Sequence, residues 1–324
     1  MLANTILAFF AMALGLAAMP AAAQSPQDYP SKPVTFIIPF TPGSSTEVEA
    51  RVYTQGLTGN LNRQFIIDFK PGAGSTVGTN YVAKAAPDGY TLLFFTSSFS
   101  TAAALYKNLP YDSIRDFAPV SLLSKRPMVL IVNPNLPFRS AREYLDHVRQ
   151  NPGKVNVVTA GAGSASHFAA AWLHKLSDTQ VTFVHYKGGA PMFVDLIAGR
   201  AQATVTTLES AIPHIKSGRM RPLGISFTQP VPILADVPPI ADQAVKGYEY
   251  SGELGVLAPR ATPPAIVNKL SGELAKVAKA REAAARLEGS LMIGSTPEEL
   301  GQHLVINIKR LQELTRDSDI SPEN

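Results

Sequence analysis

The residues best suited to chemistry lie in a short polar loop near the start of the sequence. Val34–Ile38 is β-branched and aromatic, which predicts a buried strand. The loop after it supplies hydroxyl groups and bare backbone N–H groups and leads into a helix predicted over Glu47–Leu57. A polar loop at a helix N-terminus attracts anions, which predicts a carboxylate site here. Its candidate residues are Gly43, Ser44, Ser45 and Thr46, with Ser45 or Thr46 as the N-cap.

A second loop repeats this pattern. Val155–Thr159 is predicted as a strand, and a Gly/Ser stretch follows it before a helix over Phe168–Leu176. Glycine lets a backbone approach a ligand closely, and serine and threonine add hydroxyl groups. Such loops are also common connectors, and a histidine at this position also commonly caps or packs locally. The candidates are Thr159, Gly161, Gly163, Ser164 and His167, and Ser97 and Ser98 follow a third predicted strand in the same way.

Sequence motifs for catalysis and cofactor binding are missing. There is no P-loop, no G-x-S-x-G elbow and no H-E-x-x-H. The Gly161–Ser166 stretch resembles a degenerate dinucleotide fingerprint, but the strand Val181–His185 ends without the acidic residue that would hold a ribose. Cysteine is absent and the six histidines are isolated, so we predict no metal and no cofactor. An exported esterase stays open, because a triad can be assembled from distant residues.

Alternating strands and helices must position these loops. This order predicts an α/β fold with parallel sheets. In open α/β sheets, ligands lie beyond the carboxyl ends of the strands, where both loops fall. If the loops belong to different domains, the ligand lies in the cleft between them. The predicted strands are Val34–Ile38, Phe65–Phe69, Thr91–Phe95, Pro119–Leu123, Met128–Val132, Val155–Thr159, Val181–His185, Gln202–Thr206 and Leu254–Ala258, with C-terminal helices near 264–278, 282–288 and 297–316.

The first 23 residues are predicted to be a signal peptide. Ile6–Ala18 is almost wholly apolar but short for a membrane span, and Ala21-Ala22-Ala23 offers a cleavage site before Gln24. The region before the apolar stretch has no Lys or Arg, which is atypical, and an uncleaved anchor or a buried helix is the alternative. We therefore expect an exported protein.

Composition and charge narrow the possible kinds of protein and partner. The chain is 45% hydrophobic and 17% charged, as in ordinary globular proteins. Its net charge of +4 is scattered rather than clustered, so no nucleic-acid partner is expected. The mature chain of about 300 residues exceeds what one core usually supports, which predicts two domains.

Short motifs along the whole mature chain resemble the solute-binding proteins of tripartite tricarboxylate transporters, the Bug family. They occur in the family's order. The motifs are Tyr29-Pro-Ser-Lys-Pro33, Pro39-Phe-Thr-Pro-Gly43, Lys70-Pro-Gly-Ala-Gly74, Ala86-Pro-Asp-Gly-Tyr-Thr-Leu92, Leu109-Pro-Tyr-Asp112, Phe117-Ala-Pro-Val-Ser-Leu122, Asn151-Pro-Gly-Lys154, Tyr186-Lys-Gly188, Pro213-His-Ile215, Leu257-Ala-Pro259 and Thr296-Pro-Glu298.

The resemblance implies a two-domain periplasmic-binding-protein fold of type II, the Venus flytrap, with two crossing segments as hinge. It implies residues 24–124 and 251–324 as one domain and 125–250 as the other. It also implies a periplasmic, non-enzymatic receptor that captures a small carboxylate, either a dicarboxylate or an aromatic carboxylate, and delivers it to a membrane permease of two subunits. A monomer is expected, and a ligand sensor that feeds a signalling partner is an alternative.

The sequence departs from the family pattern at several site positions. Ser44 and Glu47 replace the usual Gly and Asp of the first loop, and Ala162 stands where Asn is frequent. Thr206-Thr207 replaces a frequent Asp-Asn pair, and Arg126 stands in a crossing segment that is usually small or apolar. Arg126 is either a bidentate partner for a ligand carboxylate or a solvated hinge charge. Phe40, Thr41, Arg126 and Thr207 complete the candidate binding residues. Phe40, Phe94 and Phe99 are candidates for aromatic walls of the cleft, with core packing favoured for Phe94.

Overall fold

The computed structural model describes residues 28–42, 45–186, 188–229, 231–280 and 289–316, and for Ser45 the backbone alone. The predicted signal peptide, Gly43, Ser44 and the predicted helix at 282–288 lie outside these residues. No helix among the described residues has the length and apolar character needed to cross a membrane.

Strands and helices alternate as predicted. The strands are β1 (Val34–Ile38), β2 (Phe65–Phe69), β3 (Thr91–Thr96), β4 (Phe117–Val132), β5 (Asn156–Thr159), β6 (Thr182–His185), β7 (Ala203–Thr207), β8 (Arg221–Ile225), β9 (Ser251–Pro259) and β10 (Leu291–Met292). The helices are α1 (Ser45–Leu61), α2 (Thr76–Ala83), α3 (Ser97–Leu105), α4 (Ala141–Gln150), α5 (Ala165–Leu176), α6 (Gly189–Ile197), α7 (Leu208–Lys216), α8 (Ile240–Gln243), α9 (Pro264–Lys279) and α10 (Pro297–Arg316).

The strands form two sheets that define two lobes. In lobe 1 the order is β2-β1-β3-β9-β4, and in lobe 2 it is β6-β5-β7-β4-β8. Neighbours β1, β2 and β3 are parallel, as are β5, β6 and β7. The prediction of parallel sheets is therefore wrong for the strands that join the lobes, because β4 and β9 run antiparallel to their neighbours.

Strand β4 crosses from one lobe to the other. The sequence predicts two separate strands here, but Phe117–Val132 is continuous. Its first part pairs with β9 as far as Pro127 opposite Ser251, and its last part pairs with β7 and β8 from Met128 onward. The polar residues in the middle suggested a break, whereas in the structure they lie at the crossing. Strand β8 was not predicted, because Pro222 and Gly224 interrupt its apolar pattern.

Each sheet is covered on both faces. In lobe 1, Phe36 and Phe94 pack on one face, and Ile37 and Phe99 belong to the core on the other. Of the three phenylalanines considered as cleft walls, Phe94 and Phe99 are buried in these cores, at 0% and 1% exposure. Phe36 and Ile37 are neighbours on β1 and fall on opposite faces because side chains alternate along a strand.

Helix α10 packs against both lobes. Leu300 and Leu304 belong to a lobe 1 core, whereas Leu311 and Leu314 belong to the core of lobe 2. The guanidinium of Arg310 donates to the carbonyl of Glu249 (3.1 Å) and lies over the ring of Tyr250, next to the crossing into β9. The helix therefore ties the lobes together beside the two crossing strands. The predicted domain boundaries stay a prediction.

Candidate functional site

The cleft between the lobes contains two adjoining cavities. The first, about 260 Å³ and here called the Arg126 chamber, is lined from both lobes. The second, about 250 Å³ and called the Leu105 chamber, adjoins it, because Ser98, Thr101, Gly163 and Ser164 line both. Of the predicted site residues, the Arg126 chamber is lined by Phe40, Thr46, Ser97, Ser98, Arg126, Gly163, Ser164 and Thr207, and the Leu105 chamber by Ser98, Gly161, Gly163 and Ser164.

Four helix N-termini meet at the Arg126 chamber. Thr46 lies in the first turn of α1, and Ser97 is the first residue of α3. From lobe 2, Ser164 and Thr207 are the residues that precede α5 and α7. The first turn of a helix leaves backbone N–H groups without intrahelical partners and carries a partial positive charge. The four termini together make the chamber suited to an anion.

Side chains cap two of the helices whose N-termini reach the Arg126 chamber. The hydroxyl of Ser164 accepts a hydrogen bond from the backbone N–H of His167 (3.3 Å), so Ser164 is the N-cap of α5. Thr96 caps α3 in the same way, accepting from the backbone N–H of Ser98 (3.2 Å). Helix α1 begins at Ser45 and not at Glu47, which places Thr46 inside the helix.

The second loop needs glycine at two positions. Its glycines have positive φ, +144° at Gly161 and +70° at Gly163, which favours glycine at both positions. A Cβ on Gly163 would also lie 2.9 Å from Cδ1 of Leu105 in the other lobe. The small residue therefore allows the lobes to approach each other at this point.

His167 lies behind the loop and outside the lining of both cavities. It is buried, and its Nδ1 accepts a hydrogen bond from the backbone N–H of Gly163 (3.1 Å). Burial and the neighbouring His185 lower the pKa of His167 to about 4, so the imidazole stays neutral at neutral pH. Its Nδ1 is occupied by Gly163, and the Ser164 hydroxyl lies 2.9 Å from that of Ser166. The imidazole and the serine hydroxyl therefore do not form a nucleophile–base pair.

Thr159 and Thr41 also lie outside the two cavity linings. Thr159 is fully buried, with its hydroxyl 2.7 Å from Nδ1 of His185. Thr41 is exposed at the end of the first loop. The ligand-binding role predicted for these two residues and for His167 stays a prediction, and the geometry places Thr159 and His167 where they support the loop from behind.

Arg126 lies between two carboxylates from different lobes. Its Nη2 is 2.7 Å from Oε2 of Glu49 on α1, and its Nε is 3.4 Å from Oε1 of Glu209 on α7. Glu49 is completely buried and also accepts a hydrogen bond from the hydroxyl of Ser124. Burial raises the pKa of Glu49, and Arg126 and Ser124 oppose that rise. The alternative of a solvated hinge charge is wrong, because the Arg126 side chain is only 11% exposed.

Sequence reasoning did not identify several residues that line the Leu105 chamber. Thr101, Ala102, Leu105 and Tyr106 lie along α3 and just after it, and Gly74 faces them from the loop after β2. The sequence shows these residues only as a short Ala-rich helix. No local signal distinguishes a helix that lines a cleft from one that packs in a core.

A larger groove of about 790 Å³ lies between the segment that follows α3 and helix α10. Lys107, Arg115 and Lys309 are among the residues that line it, and no predicted site residue does. Among the described residues, no group of three or more His, Asp or Glu side chains is placed to hold a metal ion.

Comparison with known proteins identifies the family. The family model described as "Tripartite tricarboxylate transporter family receptor" (TctC) matches residues 49–292. The chain belongs to this receptor family. Protein BugT of Bordetella pertussis is 31% identical to this TctC chain over 302 residues, which are 92% of this chain and 93% of BugT. The family resemblance read from the motifs is confirmed.

Solved structures share the two-lobed fold. "R. palustris Rpa4515 with adipate" is 31% identical, with a TM-score of 0.77, and the match covers 91% of this TctC chain and 100% of that one. MatC from Rhodopseudomonas palustris with bound malate is 29% identical, with a TM-score of 0.73 and coverage of 88% and 99%. The predicted periplasmic-binding-protein fold is therefore confirmed. The chain is a receptor of a family whose solved members include carboxylate complexes.

Proposed function

We propose that this protein is a periplasmic receptor that captures a small carboxylate in the interlobe cleft and delivers it to the permease of a tripartite tricarboxylate transporter. The observation that carries the proposal is the meeting of four helix N-termini, two from each lobe, at one cavity. Backbone N–H groups at helix N-termini are general anion ligands. The related Rpa4515 and MatC structures hold adipate and malate, which supports a carboxylate as the anion.

The energetics are sufficient for capture. A hydrogen bond to a charged group contributes about 1.5–3 kcal/mol. A micromolar dissociation constant requires about 8 kcal/mol net. A few donors aimed from each lobe reach this value after ordering costs, without any covalent chemistry.

The proposal divides the mature chain into residues 24–124 with 251–324 and residues 125–250. Support comes from the change of sheet partners along β4 at the crossing near Arg126 and Pro127. A ligand that contacts Ser97 in one lobe and Ser164 in the other stabilises the closed arrangement of the two. Closure then presents a liganded surface that the permease can distinguish from an empty receptor.

The binding test is a calorimetric and thermal-shift screen of mono-, di- and tricarboxylates, including aromatic acids. At least one acid is expected to bind with micromolar affinity, and Ser164→Leu is expected to abolish that binding because Ser164 lines both chambers and the bulky side chain obstructs their junction. Ser140→Leu is the matched control, since Ser140 caps α4 away from the cleft, accepting from the backbone N–H of Glu143 (3.1 Å). Each variant loses a cap worth about 1 kcal/mol. Unchanged affinity in Ser164→Leu, or no binding by any acid, contradicts the proposal.

Export has its own test. Mass spectrometry of the protein released from the periplasm is expected to show a mature chain that begins at Gln24. Retention of the full-length chain in the membrane fraction contradicts the proposed localisation.

A further inference from the structure

The two chambers of the cleft differ in charge. All four helix N-termini and the guanidinium of Arg126 reach the Arg126 chamber, and the termini of α3 and α5 also border the Leu105 chamber through Ser98 and Ser164. Glu253 lines the Arg126 chamber as well, and its carboxylate lies 2.6 Å from Nε2 of His303. The described residues that line the Leu105 chamber carry no ionisable carboxylate, ammonium, guanidinium or imidazole group. Its side walls come instead from Thr101, Ala102, Leu105, Tyr106 and Ala162. A ligand that spans the cleft therefore meets the helix N-termini of α1 and α7 at one end only, and the described residues at the other end carry no charge.

The loop beside the Leu105 chamber offers few free backbone donors. The backbone N–H of Gly163 donates to Nδ1 of His167 (3.1 Å), and that of Ser164 donates to the carbonyl of Gly161 (3.2 Å). The backbone N–H of Ala160 donates to the hydroxyl of Ser166 (2.9 Å). A carboxylate that entered this chamber would lose its hydration without gaining these donors, and an uncompensated buried charge is unfavourable.

The size of the Leu105 chamber fits an uncharged tail. A cavity of about 150 Å³ is enough for benzene in a protein interior. The Leu105 chamber, at about 250 Å³, has room for one ring or for a short alkyl chain. Hydroxyl groups of Ser98 and Tyr106 at its boundary tolerate a polar neutral substituent as well.

We infer that the ligand is a monocarboxylate with an uncharged apolar or aromatic tail. Its carboxylate binds in the Arg126 chamber among the helix N-termini, and its tail lies in the Leu105 chamber against Ala102 and Leu105. This inference rests on the proposed function and narrows its substrate class. It also separates this chain from the relatives Rpa4515 and MatC, whose structures contain the diacids adipate and malate.

The test compares acids that differ only at the tail end. Calorimetry at pH 7.5 measures hexanoate against adipate, in which a terminal methyl is replaced by a second carboxylate, and benzoate against terephthalate. In the better-binding pair, the monoacid is expected to bind at least 10-fold more tightly than its diacid.

A charge-adding variant checks where the tail lies. Ala162→Arg places a cation at the Leu105 chamber, and its expected effect is to shift the monoacid-to-diacid affinity ratio at least 10-fold toward the diacid. Val194→Arg is the matched control, because Val194 is 61% exposed on α6 and lines neither chamber. In this control the ratio is expected to stay as in the natural sequence.

The outcomes are distinguishable. If a diacid binds as tightly as its monoacid or more tightly, the inference is wrong while the proposed receptor function stands. An unchanged ratio in Ala162→Arg also overturns it, because the tail then lies elsewhere. If no carboxylate of the wider screen binds, the proposed function itself fails.

Discussion

At the scale of single residues, the side chains predicted to touch ligand divide into two groups. Ser97, Ser164 and Thr207 line the cleft, whereas Thr159 and His167 hold the second loop from behind. Thr159 and Thr207 are both the last residue of a strand, so residue type and position along the strand do not separate the two roles. Only the direction in which each side chain points separates a lining role from a supporting one.

The neutral imidazole of His167 makes stability depend on pH. Its pKa is about 4 in the folded protein, below the 6.5 usual for histidine. As the pH falls from about 6.5 to about 4, the unfolded chain gains a proton that the folded chain does not, so stability falls by up to about 1.4 kcal/mol per pH unit. His167→Asn keeps an acceptor for Gly163 and cannot ionise, so this fall is expected to be smaller. Urea unfolding at pH 7.5, 5.5 and 4.5 measures it.

The comparison variant is His167→Leu, which removes the acceptor. Leaving the N–H of Gly163 unpaired is expected to lower stability by about 1–3 kcal/mol at every pH. His174, whose pKa is lowered to about 3 by complete burial, remains in both variants and leaves part of the pH dependence. An identical pH slope in His167→Asn and the natural sequence contradicts the assignment.

Replacing Arg126 is expected to change the stability of the protein more than its ligand binding. Arg126→Met leaves Glu49 buried with only Ser124 to stabilise its charge, and breaking such a buried pair typically costs about 3–5 kcal/mol. The deficit is expected to shrink as the pH falls from 8 to 5.5, because protonated Glu49 needs no counter-charge. Urea denaturation at both pH values measures the deficit.

The control for Arg126 is an exposed ion pair on the same helix as Glu49. Arg51 is 61% exposed and pairs with Glu47 one turn before it. Arg51→Met is expected to change stability by less than about 1 kcal/mol. If Arg126→Met also changes stability by less than about 1 kcal/mol, the contact of Arg126 with Glu49 and Glu209 does not hold the lobes together. Arg126 is then again a candidate for direct ligand contact.

At the scale of elements, the crossing strands decide how the lobes meet. Strand β9 lies between β3 and β4, and Gly255 is opposite Phe95 on β3 and Leu122 on β4. A Cβ at Gly255 would lie 2.4 Å from a ring carbon of Phe95 and 2.8 Å from the carbonyl oxygen of Ser121. The glycine is therefore needed for the close approach of a ring and a neighbouring strand.

Gly255→Ala is expected to lower the free energy of unfolding by about 1–3 kcal/mol because of this overpacking. Gly272→Ala is the matched variant. Gly272 lies exposed in α9 with no atom within 4 Å of an added Cβ, and alanine there is expected to raise stability by about 0.5–1 kcal/mol. Urea unfolding of both variants provides the measurement, and equal effects of the two would refute the packing argument.

At the scale of the whole molecule, α10 connects the lobes a third time. The helix starts on lobe 1 and ends in the core of lobe 2, where Leu311 is 1% exposed and Leu314 is fully buried. Relative motion of the lobes must therefore carry the helix with it or break these contacts. The proposed closure around a ligand has to use small rotations that keep α10 packed.

Leu311→Ala is expected to destabilise lobe 2 more than lobe 1. Removing a buried leucine typically costs about 2–5 kcal/mol. Hydrogen exchange is expected to accelerate more in β5 and β7 than in β1 and β3, because Leu311 packs in the lobe 2 core. Val305 on the same helix is 50% exposed, and Val305→Ala is expected to leave hydrogen exchange unchanged in both lobes. Equal acceleration in the two lobes would mean that the molecule unfolds as one unit.

Local patterns of the chain were enough to predict the alternating elements and the loops that reach the cleft. The apolar run before Pro39 and the Gly/Ser stretch after Thr159 each predict a strand that ends in a polar loop, since hydrophobic period and turn residues act over a few positions. The continuous β4 was not predictable in this way. Its polar centre is tolerated because Glu49, on a helix 77 residues away, pairs with Arg126.

By itself, then, the sequence determined the α/β order, the family and the two polar loops, because these depend on residues that are neighbours in the chain. Tertiary structure alone decided that Arg126 is held by Glu49 and Glu209, that His167 faces away from the cleft, and that α3 lines a chamber whose described residues carry no charge. The physical reason is that burial and charge environment at these positions come from groups on the opposite lobe or on distant helices, and those groups become neighbours only when the lobes pack together.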